Sequence, residues 1–105
     1  MRLYVSATLL VALMAYAGIA SAHTPLFACY DNGDDTITCE GGFSDGSSAS
    51  GVHVHVFDAS GTVLQETALD EYGEITFDKP GTDYSVQFDA GEGHQIDVLG
   101  ADIVE

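Results

Sequence analysis

Four histidines, at positions 23, 53, 55 and 94, are the residues of this chain best suited to chemistry. His23 directly follows Ala20-Ser21-Ala22, an A-x-A pattern of the kind that signal peptidase cuts. Cleavage there makes His23 the N-terminus. A terminal histidine offers a metal two nitrogens, its α-amine and Nδ1, which close a six-membered chelate ring. Amine and imidazole nitrogens suit nickel, cobalt, copper and zinc, with geometry rather than affinity choosing among them. Pro25 narrows the options. The square-planar terminal motif needs a third-position histidine and two deprotonatable amides before it, and a proline in third place has no N–H.

The other histidine pair, "HVH" from His53 to His55, has a different geometry. Residues two apart on a strand share a face, about 6.6–6.8 Å apart by the strand rise. They can pinch a metal, but they fall mid-strand on the face opposite Val52, Val54 and Val56. A solvated strand face is the simpler reading. "DNGDD" lacks the fixed spacing and distal glutamate of a calcium loop and reads as a turn. There is no Ser-His-Asp spacing to recommend and no glycine-rich phosphate loop. The expectation is a binding protein and not an enzyme.

The segment before His23 is not expected to belong to the fold. Met1-Arg2 gives a positive start, and Leu3 to Ala20 is almost wholly apolar. Residues 1–22 therefore read as a helical signal peptide and 23–105 as one exported, periplasmic-type domain. A retained membrane anchor has the required length, but no positive residue follows the run to stop transfer. A lipoprotein cut at "LFAC" would acylate Cys29 and leave Cys39 without a partner. Without its signal the chain is not expected to insert into a membrane.

All seventeen acidic side chains lie after residue 22, against one basic side chain, Lys79. Such a surface repels nucleic acid and anionic lipid and attracts cations. A solvated acidic face explains most of it. Cys29 and Cys39 flank "YDNGDDTIT", whose Asn32-Gly33 is a hairpin turn signal. Folding that hairpin about Asp34 places the two cysteines opposite each other, at roughly 4.5–5.5 Å between Cα atoms, which predicts a disulfide.

Period-two alternation runs through the rest of the chain. Phe27 and Cys29 share a face, as do Ile37, Cys39 and Phe43, then Val52, Val54 and Val56, then Ile75 and Phe77, then Tyr84, Val86 and Phe88, then Ile96 and Val98. Turns rich in Gly, Asp, Ser and Pro separate the runs. The pattern predicts an all-β, seven-stranded Greek-key sandwich of the immunoglobulin-like kind.

The stretches "EGGFSDGSSASGVHVHVFDASGTVL", "DEYGEITFDKP" and "YSVQFDAGEGHQ" resemble the small exported accessory components of energy-coupling-factor nickel and cobalt transporters. Those in turn are similar to the prealbumin-like sandwiches of carboxypeptidase regulatory domains. The frame around the turns carries the fold. "DAGEGH", Asp89 to His94, and a histidine after the signal cut carry the more specific likeness. The resemblance implies a metal-handling role with Ni²⁺ or Co²⁺, and Cu²⁺ or Zn²⁺ as chemically admissible alternatives. With no C-terminal apolar helix in this sequence, it also implies separate membrane subunits of an importer as partners. The cysteine pair departs from the family's general pattern.

If each turn reverses the chain, the start of the first strand lies at the same end as "SDGSSAS", "LDEYG" and "DAGEGH". His23 and His94 then become the metal ligands, with Asp45, Asp70, Glu71, Asp89 and Glu92 as further ligands or supporting groups. The competing expectation is a prealbumin-like interaction domain of the cell envelope that binds no metal. Intact mass of the exported protein checks the starting point: it should match a chain beginning at His23, and a retained signal or a lipid on Cys29 would overturn the terminal site.

Overall fold

In a computed structural model, residues 23–105 are described; the proposed signal segment 1–22 lies outside the described residues. The alternation of apolar and polar residues resolves into seven strands: β1 (Pro25–Asp31), β2 (Thr36–Phe43), β3 (His53–Asp58), β4 (Val63–Ala68), β5 (Glu74–Asp78), β6 (Tyr84–Asp89) and β7 (Gln95–Leu99). A short 3₁₀ turn, Gly100–Asp102, follows β7. Among the described residues no helix is long and apolar enough to cross a membrane.

The strands form two antiparallel sheets, ordered β1-β2-β5 and β4-β3-β6-β7. The fold is the expected all-β sandwich. Its fourth strand pairs with β3, whereas in a constant-type immunoglobulin domain the fourth strand joins the sheet of the first two. Period two turns one row of each strand inward. Ile37, Cys39 and Phe77 face Val54, Val56, Val86 and Phe88 across the core, and Ala49, Leu69 and Ile103 close it from the connections. Among the described residues no charged or polar residue is buried with them.

Cys29 pairs with Cys39 in the β1–β2 ladder, with Cα atoms 4.0 Å apart, and the two are disulfide-bonded. The register is the one a hairpin centred near Asp34 requires. In the chain-entropy model so short a loop contributes about 2–3 kcal/mol, a useful share in a domain of this size.

The turns follow one chemical scheme. Asp31, Asp34, Asp45, Asp58, Asp70 and Asp89 each accept, on Oδ1, the backbone N–H two residues ahead. A side-chain acceptor thereby replaces the backbone partner that a turn lacks. Lys79, the one lysine, donates to Asp31 Oδ2 at 2.8 Å and ties the β5–β6 connection to the β1–β2 hairpin. That contact holds the Asp31 carboxyl below the usual range, with Lys79 the largest influence and the Gly33 N–H next.

Gly41 lies against the side chain of Phe88 from the opposite sheet. A Cβ there would stand 2.8 Å from Leu69 Cδ1 and 2.9 Å from Phe88 Cε2, whereas one on Gly42 would meet nothing within 4 Å. Gly41→Val should therefore destabilise the fold by about 1–3 kcal/mol through overpacking, while Gly42→Ala stays close to wild type. Urea unfolding of the two variants gives the comparison.

Candidate metal site

Two backbone-centred bonds fix where His23 lies. Thr24 N–H donates to Ser44 Oγ at 3.0 Å, and Ser44 N–H donates to the Thr24 carbonyl at 2.8 Å. The chain just before β1 is thus fastened to the β2–β3 connection, which carries Asp45. His23 Nδ1 lies 3.0 Å from Asp45 Oδ2. Its ring stacks on Phe43, with centroids 4.3 Å apart and planes 17° apart.

His94 reaches the same end from the β6–β7 turn. That turn is closed by His94 N–H to the Gly91 carbonyl and by Ala90 N–H to the His94 carbonyl. Gly91 and Gly93 adopt the positive φ values, 109° and 81°, that such a tight return demands. The His94 ring meets the His23 ring edge to face, centroids 5.9 Å apart. The strand topology thus brings together His23, Asp45 and His94, as the turn-reversal argument predicted.

The remaining candidates are placed differently. Asp70 spends its carboxylate on the N–H groups of Tyr72 and Glu74 within the β4–β5 turn. Glu71 and Glu92 are exposed. Asp89 belongs to the outer face of the four-stranded sheet. Its Oδ1 accepts from Gly91 N–H and Gln95 Nε2, and its Oδ2 lies 3.4 Å from His55 Nε2. Cross-strand register explains this: Asp89 stands opposite His53 in the β3–β6 ladder. His55 is further flanked by Glu66 Oε1 at 3.7 Å, and these residues border a shallow depression with His53, Thr67 and Ala68. β3 begins at His53, so "HVH" occupies the opening half of the strand rather than its middle.

Sequence reasoning missed Phe43 as a site residue. Its parity with Ile37 and Cys39 marked it as core, yet it stands at the last position of β2, where one ring reaches both the core residue Phe88 and His23. It also missed that Nδ1 of His23 is already engaged. An amine–Nδ1 chelate would have to displace Asp45. The observed pairing instead leaves Nε2 without a partner among the described residues and resembles a carboxylate–imidazole–metal arrangement, in which the carboxylate orients the ring. Among the described residues, no three His, Cys, Asp or Glu side chains are gathered closely enough to hold a metal as they stand.

Electrostatics at this end favour a charged Asp45. Its carboxyl is held well below the usual carboxylate range, first by the hydrogen bond with His23 and then by the Ser47 hydroxyl and N–H. A carboxyl whose folded pKa is depressed contributes stability that is complete above its unfolded value, about 3.9, and is lost as pH falls through the folded value. The stability difference between wild type and Asp45→Asn should therefore be largest above about pH 4 and shrink on further acidification, as read from urea midpoints across that range. No family model, no curated protein and no solved structure matches the chain.

Proposed function

We propose that this protein is an exported accessory component of a nickel or cobalt uptake system, which holds a divalent transition metal at its His23 end and passes it to the importer's membrane subunits. The observation that carries the proposal is the meeting of His23, Asp45 and His94 at one end of the sandwich, drawn from the chain start and two separate turns. The two imidazoles supply the nitrogen donors that these metals favour. Asp45 orients the His23 ring and makes it a better donor. The site is half exposed, with His23 and Asp45 side chains at 47% and 37%, which suits a metal that must be handed on. The dense acidic surface raises the local concentration of cations and repels nucleic acid. The role is binding, not catalysis.

A second reading is a cell-envelope interaction domain that handles no metal. The observation favouring it is that Asp45 and Phe43 already satisfy the His23 ring, giving the histidine a structural role at the sandwich end.

Calorimetric titration with Ni²⁺ and Co²⁺, on protein beginning at His23, separates the two readings. The metal reading expects one ion per chain, weakened at least about tenfold by His23→Ala or His94→Ala, and unchanged by His53→Ala with His55→Ala. Binding through Nε2 predicts a loss of about 10–100-fold for Asp45→Asn and indifference to one extra residue before His23; an amine–Nδ1 chelate predicts the reverse. Either mode loses affinity towards pH 5, because protons compete for the nitrogens. Absence of stoichiometric binding, or binding untouched by both histidine substitutions, would leave the interaction domain standing.

A further inference from the structure

The outer face of the three-stranded sheet has a composition that its own chain does not satisfy. Along β1 the outward row is Leu26, Ala28 and Tyr30, all exposed, with Leu26 at 53% and Tyr30 at 43%. Opposite Leu26 in the ladder stands Gly42, and with no side chain there the flank of Leu26 is open. The result is a shallow apolar notch floored by Gly42 and bordered by Leu26, Ala28, Tyr30 and Glu40, with Gly46 and Ser47 at its upper edge.

Charge on the same face is equally unresolved. Glu40 stands opposite Ala28 on one side and opposite Glu74 on the other. Two like charges directly across a ladder repel and destabilise the pair. The negative charge of Glu40 is the main reason the Tyr30 hydroxyl is pushed above its ordinary pKa. The only lysine among the described residues, Lys79, is committed to Asp31, near the far end of β5 from Glu74. No side chain of the described residues brings a positive charge to this pair.

We infer that this sheet face docks a basic, apolar segment of a partner protein, placing an aliphatic side chain in the notch over Gly42 and a lysine or arginine between Glu40 and Glu74. Charge complementarity selects the occupant. A cation there converts a repulsive cross-strand pair into an attractive bridge, while an acidic or neutral segment leaves the repulsion in place. The apolar row supplies contact area and fixes register along β1. Gly46 and Ser47 belong to the connection that carries Asp45, so an occupant of the notch lies beside the His23 end. The inference does not require a metal, and its failure would leave the metal titration unaffected.

The test uses a fluorescently labelled peptide of alternating lysine and leucine, with the exported protein titrated in and anisotropy recorded. Amide shifts in ¹⁵N-labelled protein should concentrate at Leu26, Ala28, Glu40, Gly42 and Glu74. Glu40→Gln with Glu74→Gln should weaken binding about tenfold, as expected for two partly solvated ion pairs, and added salt should act in the same direction. Gly42→Leu fills the notch from the solvent side, so it should fold normally by thermal melt and still lose most of the binding. Asp83→Asn with Asp97→Asn removes equal charge elsewhere and should change little. Oligolysine binding as tightly as the alternating peptide, with Gly42→Leu without effect, would reduce the surface to diffuse charge. Concentration-dependent dimerisation abolished by Gly42→Leu would assign the face to a second copy of this chain. Either result overturns the inference.

Discussion

Phe88 is the side chain on which the two sheets close. It is fully buried at the penultimate position of β6, packs against Phe27 of β1 and Phe43 of β2 at centroid distances of 5.3 and 6.0 Å, and lies beneath the bare backbone of Gly41. Interiors packed at crystal-like density transmit such contacts instead of absorbing them. Phe43 then presents its ring to His23, and His23 in turn meets Asp45 and His94. The candidate site is thus anchored to the core through one aromatic ring, and its two turns are held in place by the packing beneath them.

Much of this was legible in the chain because period two has a single structural meaning when one sheet face is buried. Every inward residue assigned from alternation in β2, β3, β5 and β6 is buried or packed against the core. β4 was the least readable strand. Val63 and Leu64 are exposed at an edge, a register shift interrupts its pairing with β3 at Val56 and Phe57, and the core residue it leads to, Leu69, lies beyond its end. Ile103 was also invisible, since a buried residue in a terminal extension has no periodicity to reveal it. At the site, chain reversal was enough to gather His23, Asp45 and His94. It could not foresee that Asp89 faces His55, because that depends on the register of β6 against β3 and not on which end of the sandwich a turn occupies.

The acidic composition takes on a second meaning in the folded chain. Six aspartates serve as acceptors for turn amides, so a good part of the negative charge is structural, with one oxygen of each carboxylate directed at the backbone. Asp58 illustrates the economy: it accepts from Ser60 N–H, Ser60 Oγ and Thr62 N–H, and its carboxyl is held below the usual range by these bonds. Asp45 and Asp89 each turn the second oxygen towards a histidine, His23 at 3.0 Å and His55 at 3.4 Å, and Asp31 turns its own to Lys79. Glu40 and Glu74 differ from the turn aspartates because they lie within strands and have no backbone amide to accept from in this way.

The disulfide joins two strands of one sheet and does not bridge the two sheets. Its mechanical effect is therefore directional. A pull on the leading end of the chain would peel β1 from β2 one residue pair at a time, beginning at Pro25 opposite Phe43. Peeling reaches a covalent stop at Cys29, so the segment from Pro25 to Ala28 can lift while Tyr30 and Asp31 stay in register. A load applied ahead of β1 therefore stops at the disulfide, behind which the rest of the sandwich is insulated.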